Sequence, residues 1–137
     1  MIPPVPKKIL VVDDTKSIRE IIAFTLRGKG YEVLESGDGL EAERMARTAS
    51  PDLIVLDAML PRKTGFDICA DLKRDDAFKA IPILMLTALT RDTGESDTQW
   101  RERSRADDFM SKPFKAHDLL GRVERLLARP GKAAGHP

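Results

Sequence analysis

Cysteine is nearly absent: Cys69 stands alone in 137 residues, which excludes an intrachain disulfide and any zinc site built from several cysteines. It lies in a helical pattern and reads as core filler, and a lone thiol suits a reducing compartment. An excess of either charge is missing as well. With 23 Lys+Arg against 22 Asp+Glu, the net charge of +1 offers no electrostatic case for nucleic acid or an anionic membrane as a direct partner. No apolar run reaches the roughly 20 residues that cross a bilayer. Met1-Ile2-Pro3-Pro4-Val5-Pro6 has neither the charged start nor the apolar segment of a secretory signal. A cytoplasmic protein without membrane contact is the expectation.

What the chain does contain is an alternation of short apolar runs and helical patterns, in a length suited to one compact domain. Ile9-Leu10-Val11-Val12 is a buried strand ending at Asp13-Asp14-Thr15, after which Ile18, Ile21, Ile22 and Leu26 recur at helical spacing until Gly28 and Gly30. Tyr31 to Glu35 reads as a second strand and Leu40 to Ala49 as a second helix with Ala42, Met45, Ala46 and Ala49 inward. Leu53-Ile54-Val55-Leu56 runs straight into Asp57, and a third helix passes through Phe66, Cys69 and Leu72. Ile83 to Thr87 is a fourth strand, Asp108 to Ser111 a short fifth, and from Ala116 the spacing of Leu119, Leu120, Val123, Leu126 and Leu127 marks a last amphipathic helix. Residues 1–6 are expected to be a flexible leader, 7–128 the folded domain and 129–137 a disordered tail.

Strands alternating with helices predict an α/β domain: a five-stranded parallel sheet with helices on both faces and right-handed crossovers. In such sheets ligands sit beyond the carboxyl ends of the strands, where the strand order reverses. The first strand ends in Asp13-Asp14, the third in Asp57, the fourth in Thr87 and the fifth runs into Lys112. The second ends only in Glu35-Ser36, which suits an edge away from that crevice. Three clustered carboxylates repel, and the repulsion is relieved by protonation, by a basic side chain such as Lys112, or by a hard divalent cation; few carboxylates plus waters suit Mg²⁺. A carboxylate can attack phosphorus to form an aspartyl phosphate, with the positive groups offsetting charge on the transferring oxygens. Alternatively, Asp13 or Asp14 could simply cap the first helix, and Asp57, Thr87 and Lys112 could be ordinary turn, strand-end and surface residues.

The set Asp13-Asp14, Asp57 followed by Pro61 and Gly65, Thr87-Ala88, Phe109 and Lys112-Pro113-Phe114 resembles the receiver domain of two-component response regulators over residues 7–128. The resemblance implies the flavodoxin-like receiver fold with strand order 2-1-3-4-5. It implies that Asp57 accepts a phosphoryl group from a sensor histidine kinase or histidine phosphotransfer protein. It further implies that Asp14, Asp57 and the Met59 carbonyl bind Mg²⁺, with Asp13 acting through water. Thr87 and Lys112 would contact the phosphoryl oxygens, Phe109 would change rotamer with Thr87, and the Lys112-Pro113 bond would be cis. His117, opening the last helix, reads as a surface residue.

The fourth-helix region departs from the family pattern. From Thr90 to Arg105 the one large apolar residue is Trp100, and Ser104-Arg105-Ala106 stands where the family has a glycine. Residues 90–105 are therefore expected to be frayed or displaced, because a helix without an apolar face has little tertiary support. The leading expectation is a stand-alone, Mg²⁺-dependent receiver, not an enzyme, that signals through an unknown downstream protein with no direct nucleic-acid partner. The alternative is a phosphorylation-independent interaction module using a remodelled 90–105 segment. An aspartate-nucleophile phosphatase needs a second acid where Met59 stands, and a nucleotide binder would meet repulsion from Asp13-Asp14.

Overall fold

A computed structural model describes residues 5–88 and 105–129. Its elements follow the predicted alternation: β1 (Lys8–Val12), α1 (Lys16–Arg27), β2 (Glu32–Ser36), α2 (Gly39–Ala49), β3 (Leu53–Asp57), α3 (Gly65–Lys73), β4 (Ile83–Thr87), β5 (Asp108–Ser111) and a final helix α4 (Ala116–Ala128). The five strands form one parallel sheet in the order β2-β1-β3-β4-β5. This is the receiver topology that the resemblance implies.

The continuous apolar runs are explained by burial on two faces. Every residue of β3 and β4 is buried, and successive side chains alternate between two cores. Ile9, Val11, Val55 and Leu84 pack with Ile22 and Leu26 of α1 and with Leu119, Val123 and Leu126 of α4. Leu10, Val12, Ile54, Leu56 and Met85 pack with Ala42 and Ala46 of α2 and Ile68, Cys69 and Leu72 of α3. Cys69 is core filler as expected; burial pushes its thiol up to about 12.

One helical residue departs from its pattern. Ile22 and Leu26 are buried, whereas Ile21 is 60% exposed and Phe24 81%. The α1 contact with the sheet is narrower than the apolar stripe, and Ile21 faces outward beside the β5–α4 loop.

The expectation for residues 90–105 lies outside the described residues except at its last position. Arg105 has φ 61°, a left-handed conformation that costs a side chain about 1–3 kcal/mol and glycine nothing comparable. The family's glycine at this point thus answers a backbone requirement that persists here. Arg105→Gly is expected to stabilise the fold by about 0.5–1 kcal/mol after the entropy glycine adds to the unfolded chain. A rise in urea midpoint at unchanged slope would register it.

Candidate phosphoryl-acceptor site

The chain passes from β1 to β2 on one side, then to β3 on the other, so the order reverses between the carboxyl ends of β1 and β3. The carboxylates converge at that crevice. Oxygen atoms of Asp13, Asp14 and Asp57 all lie within 4.8 Å of one another. Asp13 and Asp57 are buried and Asp14 is exposed.

Local main-chain contacts hold each acid in place. Asp13 N–H donates to Ser36 O at 3.1 Å, and Asp13 Oδ1 accepts from Thr15 N–H at 2.9 Å. Arg19 Nη1 donates to the Asp13 carbonyl at 2.9 Å. Thr15 occupies the N-cap of α1 without a side-chain capping bond, so neither Asp13 nor Asp14 serves as that cap. Asp57 pairs with Leu86 in the β3–β4 register, its Oδ1 accepts from Met59 N–H at 3.2 Å, and Ala58 N–H donates to Leu86 O at 2.8 Å. Gly65 is required where α3 starts, since a Cβ there would lie 2.1 Å from Asp57 O.

Lys112 is the cation of the site. Its Nζ donates to Asp57 Oδ2 at 3.1 Å and stands 2.7 Å from Asp13 Oδ2. Its backbone N–H donates to Thr87 O at 2.7 Å, and the Lys112-Pro113 bond is cis. Thr87 is buried at the end of β4, one residue beyond the Leu86 that pairs with Asp57. Phe109 packs partly buried against the core formed with α2 and α3. His117 is exposed.

The electrostatics are unbalanced. Burial, and then the Asp13 charge, raise the Asp57 carboxyl above the ordinary carboxylate range, against the opposing pull of Lys112. Burial alone would lower Lys112, but its contacts with Asp13 and Asp57 outweigh it and leave the ammonium raised. Among the described residues Lys112 pairs with two of the three acids, and buried Asp13 Oδ2 has no aligned hydrogen bond despite its closeness to Lys112. An acid set of this composition, with a surplus of negative charge and an under-coordinated oxygen, fits a hard divalent cation.

The profile of the response regulator receiver domain matches residues 9–124. This chain belongs to the response regulator receiver family. Among curated relatives, the DNA-binding dual master transcriptional regulator RpaA of Synechocystis sp. is 40% identical over 122 residues, covering 89% of this chain and 49% of that protein. The chemotaxis protein CheY4 of Vibrio cholerae superimposes with a TM-score of 0.79 at 35% identity, covering 89% of this chain and 99% of that one. The receiver domain of the sensor histidine kinase PA1611 of Pseudomonas aeruginosa has a TM-score of 0.80 at 27% identity, covering 91% and 100%, and holds a magnesium ion in its active-site cleft.

This receiver spans about half the length of the curated relatives it matches. They correct one expectation, that nucleic acid has no direct part: RpaA and MtrA are named for DNA binding. A balance of charge summed over this chain carries no information about the half of those proteins it does not span. The family is one of signalling regulators rather than metabolic enzymes. Among the described residues no helix is long and apolar enough to cross a membrane.

Sequence reasoning passed over two supports of the site. Ser36, which the sequence puts at an edge away from the crevice, is buried, and its carbonyl anchors Asp13. Arg19 reaches back to the Asp13 carbonyl while pairing with Glu35 at 3.4 Å. In sequence nothing separates it from a basic residue on a solvated helix face.

Proposed function

We propose that Asp57 of this receiver accepts a phosphoryl group from a phosphohistidine on a sensor kinase or phosphotransfer protein. The observation that carries the reading is a buried carboxylate at the switch point, in hydrogen-bond contact with one lysine and beside two further acids. An Asp57 carboxylate oxygen forms the new bond to phosphorus as the phosphorus–nitrogen bond to the donor histidine breaks, and the electron pair leaves with the imidazole nitrogen. Lys112 meets negative charge on the transferring oxygens, and the Thr87 hydroxyl, at the neighbouring strand end, donates to one of them. Asp14, Asp57 and the Met59 carbonyl would hold a Mg²⁺, with Asp13 acting through water. Such an ion supplies positive charge to the same oxygens. Phe109 then follows Thr87 as the phosphoryl group draws it in, and the changed surface alters affinity for a partner.

A protein donor is supported by an apolar groove between α1 and the β5–α4 loop. Ile18, Ile21, Pro113, Phe114 and Leu119 line it, and Lys112 belongs to both groove and site. Exposed apolar surface beside a reactive carboxylate suits a docking protein better than a small metabolite. The names of relatives such as RpaA and MtrA support an output on DNA, in which phosphorylation at Asp57 changes the DNA affinity of the regulator that carries this receiver. Incubation with acetyl phosphate and Mg²⁺ tests the chemistry: one base-labile phosphoryl group is expected, abolished by chelator and located at Asp57 by peptide mass analysis. No incorporation, or incorporation elsewhere, overturns the proposal.

A further inference from the structure

The loop leaving Asp57 contains a strained turn. Lys63 N–H donates to Pro61 O at 2.9 Å across Arg62, whose φ is 71°. A three-residue turn with positive φ is the rarer, strained form of the γ-turn, and a non-glycine residue stays in it only where its surroundings over-determine it.

Lys63 pairs with Glu43 of α2 and Asp71 of α3, and Arg62 itself is held by the start of α2. Arg62 clasps Asp38 with two parallel bonds, Nε to Oδ1 at 2.6 Å and Nη2 to Oδ2 at 2.8 Å. Pro61 O accepts a second bond from Gly39 N–H at 3.1 Å. The two backbones approach so closely that a Cβ on Gly39 would lie 1.9 Å from Lys63 O. Asp38 is itself the N-cap of α2, accepting from Glu41 N–H at 2.8 Å. Glu41 in turn accepts from Ser36 Oγ at 2.7 Å, and Ser36 O holds Asp13 N–H at 3.1 Å. A continuous chain of contacts therefore runs from Asp13, on one wall of the acidic crevice, to the turn that ends the Met59–Pro61 segment on the other.

We infer that Asp38 and Arg62 are positioning residues for the divalent cation: their ion pair holds the γ-turn, and the turn holds the segment bearing the Met59 carbonyl. The inference rests on the reading of that carbonyl as a ligand. The fork geometry matters as much as the charge, because a planar guanidinium on both carboxylate oxygens fixes the direction of the turn, whereas an ammonium would not.

Mg²⁺ titration followed by backbone amide shifts, on the full chain without phosphodonor, tests it. Arg62→Lys keeps the charge and loses the fork. Arg62→Gly relieves the strained φ and loses the pair, while Asp38→Asn keeps a capping oxygen and loses the charge. Each is expected to weaken Mg²⁺ binding about two- to fivefold, the range of one exposed, well-aligned ion pair. The double variant Asp38→Asn/Arg62→Lys is expected to weaken it no further than the worse single, because both act through one contact. Lys79→Gln, which removes a pair with Asp76 after the end of α3 and touches no residue of the turn, should leave the affinity unchanged. Unchanged affinity in both Arg62 variants overturns the positioning role while leaving the proposed site intact. A wild-type protein that does not bind Mg²⁺ overturns both.

Discussion

Asp57→Asn is expected to abolish phosphoryl incorporation and, without divalent cation, to raise the stability of the fold. The first effect is complete because the amide has no anionic oxygen to attack phosphorus. The second follows from the site's electrostatics. Asp57 is 4% exposed, and burial followed by repulsion from Asp13 raises its carboxyl above its ordinary value, with Lys112 opposing. A group whose pKa is higher folded than unfolded favours folding below its unfolded pKa and loses that contribution as pH rises through the folded value. At neutral pH the ionised carboxylate therefore costs stability.

Asparagine removes this cost while keeping an oxygen for Met59 N–H and the side chain's shape. A gain on the order of 1 kcal/mol, several degrees in Tm, is expected at pH 7 in chelator, shrinking as pH falls toward about 4. Added Mg²⁺ should reverse the order, since a ligand bound only by the folded wild type stabilises it by mass action. Thermal melts of both proteins with chelator and with Mg²⁺, across that pH range, measure both halves. An asparagine variant less stable than wild type in chelator at pH 7 contradicts this account of Asp57.

Lys73→Met is expected to destabilise the fold by about 3–5 kcal/mol. Lys73 and Asp107 have side chains only 9% and 11% exposed. The ammonium satisfies all three donors: Asp107 Oδ2 at 2.7 Å, Ile81 O at 2.8 Å and Lys79 O at 3.1 Å. The same carboxylate accepts from Ile83 N–H at 2.8 Å, and Asp107 N–H donates to Ile83 O at 3.0 Å. One pair thus ties the end of α3, the link into β4 and the entry to β5. Methionine matches the length of the lysine stem but leaves a largely buried carboxylate with its strongest partner gone and Arg129, 3.6 Å from Oδ1, as a weaker one, out of a total stability of only about 5–15 kcal/mol.

Adding Asp107→Asn to Lys73→Met should recover part of the loss, because the carboxylate charge that has lost Lys73 goes with it. The pair lies at the amino end of β4, away from Asp57, so the folded fraction should still bind Mg²⁺. Urea unfolding combined with Mg²⁺ titration separates the two effects. A Lys73→Met variant within about 1 kcal/mol of wild type would show that the pair merely offsets its own desolvation.

The legible and the illegible parts of this receiver differ in the range over which they are written. The strands could be read because a run such as Leu53-Ile54-Val55-Leu56 reports burial on both faces within four residues, and the helices because their apolar spacing repeats within two turns. Asp13, Asp14, Asp57, Thr87 and Lys112 could be grouped because topology alone brings strand ends together. Site composition needed no knowledge of side-chain contacts, while the strand order came from the resemblance to receiver domains. The same local reading overextended at Ile21, where periodicity reports an apolar stripe but not how much of it the sheet covers.

Away from the strand ends, tertiary structure alone decided which charges meet. Arg62 pairs with Asp38 across 24 positions and Lys73 with Asp107 across 34. In sequence these partners are indistinguishable from the other ionisable residues, since an ion pair has no periodicity and its members are chosen by which loops the sheet order sets side by side. By itself the sequence determined the doubly wound sheet and the residues at its carboxyl edge, because hydrophobic burial and strand alternation are short-range and repetitive. The strained turn at Arg62, the clamp on it, the support of Asp13 by Ser36 and Arg19, and the buried Lys73–Asp107 pair were decided only when distant segments packed, because each depends on distance and direction in space.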